Sequence, residues 1–282
     1  MFDESTLLDR GKRLLLLPGF LGLDAPVVFI SWLILFSKST GHSVPFVVFT
    51  AAFLAIWSIY LFDRIVDVIL CKDWDVATGR LRFGKKYRLF FGVALAVSTG
   101  FGAAIAIVGH LPQEVLIRGL WVALGVAIYF GVFVMPPFFR RSKFPGKEFG
   151  VGLAFAGGII AAIGFHNPHT LALVAFGSAA AFNCLLIAAR DRDADATNDS
   201  GSASQWWGNL RQDLNRSGLI YSILTLNGFF LPPNQWPLFI CLCISSVLMT
   251  LLNRNSAGLS GAEVRAYADF CLLTPFIGIW FA

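Results

Sequence analysis

Two acidic runs with matched spacing are the residues of this sequence best suited to chemistry. Asp63 and Asp67 are four residues apart, Asp191 and Asp195 repeat that spacing, and each run opens with an Asp-Arg pair. Residues four apart lie on one face of an α-helix, so each run presents two carboxylates side by side. Oxygen ligands without His or Cys within the runs suit Mg²⁺, which takes one or two carboxylates together with water and phosphate oxygens. We therefore predict that these four aspartates are catalytic and bind Mg²⁺.

Basic residues surround both runs and predict what the metal would hold. Arg and Lys bind phosphate oxygens, Arg by bidentate contacts. A site that combines these acidic and basic residues would bind a metal-bound diphosphate. The residues predicted to contact it are Arg64, Lys72, Arg80, Arg82, Lys147, Arg190 and Arg192.

Two further side chains are predicted to face the substrate. Tyr60 lies nearly one helical turn before Asp63, and Asn183 lies about two turns before Asp191 on the same helix face. For Tyr60, packing or anchoring at the membrane interface is the alternative. For Asn183, a polar contact between packed helices is an equal alternative. For the runs themselves, the alternative is that they are solvated helix ends that pair with each other and fix the topology.

Composition places these residues in a membrane protein. Of the 282 residues, 56% are hydrophobic and 14% are charged, whereas soluble domains carry about a quarter charged residues. One helical span needs about 20 apolar residues. The apolar blocks lie at 25–37, 44–69, 88–109, 114–135, 149–165, 170–190, 218–231, 236–252 and 264–281. The predicted fold is an all-α integral membrane protein with nine transmembrane helices around a central cavity.

Positive charge predicts the orientation of these spans. With the N-terminus in the cytoplasm, Lys38 and Arg118 are the only two of the 22 Lys and Arg residues that fall outside. Positive charge concentrates in cytoplasmic loops, so the C-terminus is predicted to lie outside. Segment 1–13 has too many charges for a signal peptide and is predicted to be a surface segment. We expect a multi-pass protein of the bacterial inner membrane with its active site facing the cytoplasm.

The chain is predicted to form one domain over 1–282. Nine spans with short connections leave little room for a second domain. Two inner connections are longer and polar, and they are predicted to form cytoplasmic caps at about 68–87 and 191–217. Loops longer than about a dozen residues are usually functional, and both caps adjoin the acidic runs.

The acidic runs resemble those of the UbiA superfamily of intramembrane prenyltransferases. Proteins of that family have nine transmembrane helices and acidic motifs, N-D-x-x-D-x-x-x-D and D-x-x-x-D, after the second and sixth. Asp63 and Asp67 match the last two Asp of the first motif, and segment 191–195 is similar to the second. Segment 147–155 is similar to the opening of the family's fifth helix. The chain departs from the first motif at Ile59 and Tyr60, where the family has Asn and Asp.

That departure leaves three possibilities open. Asp73 or Asp75 could supply the missing ligand from the following loop. The protein could bind diphosphate with fewer metal ions, or it could have lost the transfer reaction.

The resemblance implies a Mg²⁺-dependent enzyme that transfers a prenyl group from an isoprenyl diphosphate to an apolar acceptor, aromatic or lipid, within the membrane. Mg²⁺ would neutralise the leaving group, aromatic faces would stabilise the carbocation, and a dry cavity would exclude water. A UbiA-like terpene cyclase and a non-catalytic isoprenoid-binding protein remain alternatives. A transporter is a weaker alternative, because transporters place ionisable groups near the middle of the membrane, whereas these acidic runs lie at one face. Membrane lipid is an expected partner and nucleic acid is not.

Overall fold

The structure, a computed structural model, describes residues 15–134, 146–165, 169–199 and 201–282. The predicted surface segment 1–13 lies outside the described residues. Fourteen α-helices and no strand occur within the described ranges. The helices are α1 (Leu15–Leu21), α2 (Asp24–Thr40), α3 (Phe46–Leu70), α4 (Gly79–Lys86), α5 (Arg88–Val108), α6 (Gln113–Tyr129), α7 (Gly146–Ile163), α8 (Thr170–Arg190), α9 (Arg192–Asn198), α10 (Ala203–Trp206), α11 (Leu210–Leu226), α12 (Trp236–Asn255), α13 (Gly261–Cys271) and α14 (Pro275–Gly278).

Helix length and composition fit a multi-pass membrane protein. Within the described residues, six helices (α3, α5, α6, α7, α8 and α12) are long and apolar enough to cross a membrane, and the bent pair α1 and α2 makes a seventh. The predicted blocks at 218–231 and 264–281 correspond to α11, whose first two turns are polar, and to α13 and α14. Pro275, which cannot continue a helix ladder, stands at the start of α14. The nine-span topology and its orientation stay predictions.

The sharp bend between α1 and α2 positions the start of α2, which forms part of the wall of the central cavity. The axes of the two helices differ by 95°, and Gly22 between them has φ +68°, which glycine adopts without strain. The carbonyls that end α1 are held by α3. Arg64 donates to the Gly19 and Phe20 carbonyls at 3.2 and 3.1 Å, and Trp57 Nε1 donates to the next carbonyl at 3.2 Å. A cation at a helix C-terminus also stabilises its dipole.

The membrane helices pack in pairs that leave a space at the centre. α3 packs on α5, α6 packs on α7, and α7 packs on α8. The α7–α8 contact is close because two glycines face each other: a Cβ on Gly152 would lie 2.3 Å from the Gly177 carbonyl oxygen. An aromatic cluster that includes Trp32, Phe155 and Phe176 fills the core between α2, α7 and α8. The central space opens between the α3–α5 and α6–α7 pairs.

Candidate functional site

A cavity of about 1260 Å³ runs through the centre of the bundle, and all four predicted catalytic aspartates line one end of it. Asp63 and Asp67 are in the last two turns of α3. Asp191 directly follows α8, and Asp195 is on α9. The rest of the wall is mostly apolar side chains of α3, α5, α6 and α7. The cavity is therefore acidic at one end and apolar along its length.

The first acidic run shares one guanidinium group. Arg80 of α4 lies 3.1 Å from Asp63 Oδ2 and 3.7 Å from Asp67 Oδ2. All three side chains are largely buried, with exposed fractions of 18% for Arg80 and 26% and 28% for the aspartates. Arg80 thereby limits the repulsion between two carboxylates on one helix face.

The two aspartates of the second acidic run have different partners. Asp191 pairs with Arg265 of α13, whose Nη2 lies 2.6 Å from Asp191 Oδ2. Asp195 has a neutral neighbour instead, the hydroxyl of Ser204 at 3.5 Å. Burial raises the pKa of Asp195 to about 7, because a partly dehydrated carboxylate is less stable in its charged form.

Asn198 joins the segments that follow the two runs. Its side-chain oxygen accepts hydrogen bonds from the backbone N–H groups of Lys72 and Asp73, at 2.9 and 3.0 Å. Its Nδ2 donates to the Asp73 carbonyl at 3.1 Å. Asn198 is three residues after Asp195, and Lys72 is five residues after Asp67. This contact brings runs that are distant in sequence to the same end of the cavity.

Lys147, at the start of α7, adds a cation between the runs. Its Nζ lies 2.5 Å from Asp199 Oδ2, just after α9. Its charge also acts on Asp67 and Asp63 across the cavity end. Lys147 therefore faces carboxylates from both sides.

The residues at this end fit Mg²⁺. No cluster of three or more His, Cys, Asp or Glu that could hold a metal ion occurs among the described residues. Mg²⁺ does not need such a cluster, since it commonly keeps water and binds one or two carboxylates together with substrate phosphates. Asp195, which is half-buried and has no ion pair among the described residues, is a suitable oxygen ligand. Asp63, Asp67 and Asp191 could exchange an Arg contact for a metal contact.

The predicted substrate-contacting residues separate into two groups. Tyr60, Arg64, Arg80, Lys147 and Asn183 line the cavity. Lys72, Arg82, Arg190 and Arg192 are exposed and do not belong to its wall.

Local contacts explain this separation. Arg82 donates to the Asp75 carbonyl at 2.8 Å, and Arg190 donates to the Leu259 carbonyl. Arg64 lines the cavity, but both its terminal nitrogens already bind carbonyls of α1. Asp73 and Asp75, considered above as substitute ligands, also lie outside the wall, where Asp73 Oδ1 accepts from the Asp75 N–H at 2.9 Å.

Sequence analysis missed five charged residues of the cavity wall, one of which is Asp199, the partner of Lys147. Arg265 binds Asp191, and Glu148 accepts a hydrogen bond from the Ala203 N–H at 2.9 Å. Asp24 and Asp269 also line the cavity. Asp269 carried a usable signal, because an acidic residue inside an apolar block is costly unless it has a function.

Comparison with known proteins supports the fold. No protein-family model and no curated protein matches this chain. A solved structure does match, that of a UbiA homolog from Archaeoglobus fulgidus bound to DMAPP and Mg²⁺. It shares 14% sequence identity and a TM-score of 0.57, and the match covers 93% of this chain and 99% of that one. This chain therefore has the UbiA fold, as the resemblance of its acidic runs predicts.

Proposed function

We propose that this protein is a Mg²⁺-dependent prenyltransferase of the UbiA superfamily, which transfers a prenyl group from an isoprenyl diphosphate to an apolar acceptor, aromatic or lipid. One observation carries the proposal: two acidic runs, distant in sequence, line the same end of a cavity that is otherwise apolar. A diphosphate with an apolar tail has the same division into a charged and an apolar part. The similar structure from Archaeoglobus fulgidus holds DMAPP and Mg²⁺.

In this proposal the diphosphate lies at the acidic end. Asp63 and Asp67 on one side, and Asp191 and Asp195 on the other, would hold Mg²⁺, which when bound neutralises charge on the leaving group as a Lewis acid. Arg80 and Lys147 are close enough to the carboxylates to contact phosphate oxygens as well. These two cations bind and orient the diphosphate.

The prenyl tail lies along α3. The cavity wall extends from Val48 to Asp67 of this helix, a length of roughly 28 Å at 1.5 Å per residue. Small residues of α5 and α6, such as Gly102 and Gly119, leave room for a chain. The apolar wall excludes water that would intercept a carbocation, and the rings of Tyr129 and Phe155 in the wall offer faces that stabilise positive charge.

We also propose the finer topology. The chain forms one domain over 1–282 with nine spans, a cytoplasmic N-terminus and caps at about 68–87 and 191–217. The acidic end of the cavity then faces the cytoplasm of a bacterium, where soluble isoprenyl diphosphates have access to it. Cysteine labelling from either side of the membrane tests this orientation.

Pyrophosphate release tests the activity. Purified protein is incubated with labelled isoprenyl diphosphates of several chain lengths and Mg²⁺, and products are separated so that transfer to an acceptor is distinguished from cyclisation. We expect Asp67→Asn and Asp191→Asn to abolish release. Asp193→Asn is the matched control, because Asp193 belongs to the second run but is exposed and outside the cavity wall. No release and no metal-dependent binding at any chain length would refute the proposal.

A non-catalytic isoprenoid-binding protein is the second candidate. It is favoured by Ile59 and Tyr60, which replace the Asn and Asp of the family motif, and by Arg80, which already neutralises Asp63 and Asp67. The double variant Ile59→Asn/Tyr60→Asp separates the two candidates. Turnover that appears only in this variant would assign the natural chain to the non-catalytic class.

A further inference from the structure

A strip of exposed cations lies on the outside of the protein, where α4 meets α5. One face of α4 is fixed against α3, since Gly84 is buried and a Cβ there would lie 2.9 Å from the Val68 side chain. The rest of α4 and the first residue of α5 present four exposed basic side chains, which we call the basic strip: Arg82, Lys85, Lys86 and Arg88. None of the four belongs to the wall of the central cavity.

The charge of the basic strip is not compensated by the described part of the chain. No carboxylate there forms an ion pair with it, and segment 76–113 contains no acidic residue. Two of the cations lie over aromatic rings instead: Lys85 Nζ is 4.0 Å from the centre of the Trp74 ring, and Lys86 Nζ is 5.3 Å from that of Tyr87. Arg88 begins α5, where a cation is unfavourable to the helix dipole. Helix stability therefore does not explain Arg88.

Basic residues after the second acidic run differ, because the protein itself supplies their partners. Segment 190–216 contains four Arg and five Asp. Arg211 donates to the Asn253 carbonyl at 3.1 Å, and Arg216 lies 3.9 Å from Asp213. The unpaired positive charge is thus a property of the basic strip and not of every connection between the helices.

Apolar side chains continue the basic strip along α5. Tyr87, Leu89 and Phe90 are 41%, 78% and 47% exposed, and α5 is long and apolar enough to cross a membrane. Tyr is enriched where a span meets the lipid headgroups, and Lys and Arg at that level keep their charged ends in water while their stems lie on apolar surface. Phosphate and acyl chain are adjacent in a phospholipid in the same way. A free phosphate or a nucleic acid has no acyl chain for Leu89 and Phe90.

We propose that the basic strip binds the headgroup of an anionic phospholipid, with the acyl chains along Leu89 and Phe90. Arg and Lys form charge-assisted hydrogen bonds with phosphate oxygens. Each Lys or Arg near an anionic lipid surface contributes about five-fold in affinity. The site is separate from the central cavity and does not depend on the proposed transfer reaction.

Competition between two lipids tests the basic strip without any turnover. Purified protein in detergent is mixed with phosphatidylglycerol and phosphatidylcholine that carry the same acyl chains, and native mass spectrometry measures how much of each stays bound. Lys86→Gln/Arg88→Gln removes two cations of the strip. Arg216→Gln/Arg254→Gln is the matched control, because it removes two exposed cations elsewhere. We expect the preference for phosphatidylglycerol to fall at least about five-fold in the first variant and to stay unchanged in the control.

Charge and folding are separated by a further variant. Lys86→Arg/Arg88→Lys keeps both charges and should keep the preference for phosphatidylglycerol. Thermal unfolding of each variant measures its stability. If Lys86→Gln/Arg88→Gln does not fold, Lys86→Gln alone is measured, with Arg216→Gln as its control, and the same direction of change is expected.

Three outcomes would overturn the proposal. The first is an unchanged preference for phosphatidylglycerol when the cations of the strip are removed. The second is an equal loss in the Arg216→Gln/Arg254→Gln control, which would reflect net charge alone. The third is displacement of phosphatidylglycerol by inorganic phosphate or by an oligonucleotide at the same concentration, which would assign the strip to soluble phosphates. Pyrophosphate release should be the same in all these variants, so this proposal and the proposed function can fail independently.

Discussion

The two acidic runs have the same sequence spacing but different electrostatic surroundings. Asp63 and Asp67 share one partner, Arg80, which comes from the same part of the chain. Asp191 is paired with Arg265, 74 residues away, while Asp195 has the Ser204 hydroxyl at 3.5 Å and forms no ion pair among the described residues, although the charge of Lys147 reaches it. Identical spacing thus yields one run whose two carboxylates share a local guanidinium group and one run with a half-buried carboxylate, Asp195, that has no ion pair within the described residues.

This difference indicates which run depends more on a metal ion. A guanidinium group can bridge two carboxylates and contact phosphate at the same time, so the first run can hold a diphosphate with less help from Mg²⁺. In the proposed function the second run would gain more from a metal ion, because the half-buried Asp195 has no ion pair among the described residues and partial burial disfavours its charged form. Ile59 and Tyr60, where the motif of the similar family has Asn and Asp, would weaken a metal site on the side that already has Arg80.

The largest effect is expected when Asp195 is changed. Asp195→Asn keeps the size of the side chain and removes the carboxylate that needs a cation. If the second run carries the metal, pyrophosphate release should fall at least about 100-fold, equivalent to roughly 3 kcal/mol of transition-state stabilisation, and Mg²⁺ binding measured by calorimetry should weaken. Asp193→Asn, at an exposed position, should change neither pyrophosphate release nor Mg²⁺ binding. Equal effects at both positions would remove the distinction between the runs.

Arg80→Gln should remove the local neutralisation of the first run. Two adjacent buried carboxylates without a cation repel each other, and breaking a buried ion pair costs about 3–5 kcal/mol. Because these groups are partly exposed, we expect a smaller loss, about 2 kcal/mol, in the free energy of unfolding in detergent. Mg²⁺ should then raise the melting temperature of the variant more than that of the natural chain. A variant as stable as the natural chain would show that Arg80 does not hold the run together.

Gly152→Ala should loosen the contact between α7 and α8 and with it the position of Lys147 beside the second run. An added Cβ would meet the Gly177 carbonyl at 2.3 Å, which forces α7 away from α8 and moves Lys147 relative to Asp199. Overpacking of this kind costs about 1–3 kcal/mol. Gly92→Ala, on α5 with open space around it, is the matched control and should be neutral or slightly stabilising. Thermal unfolding measures both, and equal melting temperatures would contradict the close α7–α8 contact.

Asn198→Ala should have the smallest effect, since it removes the contact between the segments after the two runs without changing a charge. The backbone N–H groups of Lys72 and Asp73 lose their acceptor. Each lost hydrogen bond lowers the free energy of unfolding by about 1 kcal/mol, and by less where water takes the place of the acceptor. Hydrogen exchange should become faster at these two amides. Asn255→Ala, whose side chain binds only a carbonyl of its own helix, should leave them unchanged.

Much of the helical layout could be predicted from local patterns. The apolar blocks at 44–69 and 170–190 correspond closely to α3 and α8, because long apolar stretches bounded by polar clusters are a local signal. The four-residue spacing correctly placed Asp63 and Asp67 on one helix, α3, but the prediction of one helix face was wrong for the second run, because α8 ends at Arg190, Asp191 follows it and Asp195 lies on α9. The basic residues were predicted less well, since Lys72 and Arg192 are nearer to the acidic runs in sequence than Arg80 but are exposed. The charge of a connecting segment does not reveal which of its side chains line the cavity and which face the solvent.

The sequence by itself determined the membrane class, the acidic runs and the resemblance to the UbiA superfamily, because each depends on residues close together in the chain. Only the tertiary structure decided that Arg265 neutralises Asp191, that Asn198 joins the two segments, and that Asn183 binds Asp269. Those contacts form between helices far apart in sequence. They depend on how each helix is rotated about its axis, and a uniformly apolar helix has too little periodicity to reveal that rotation.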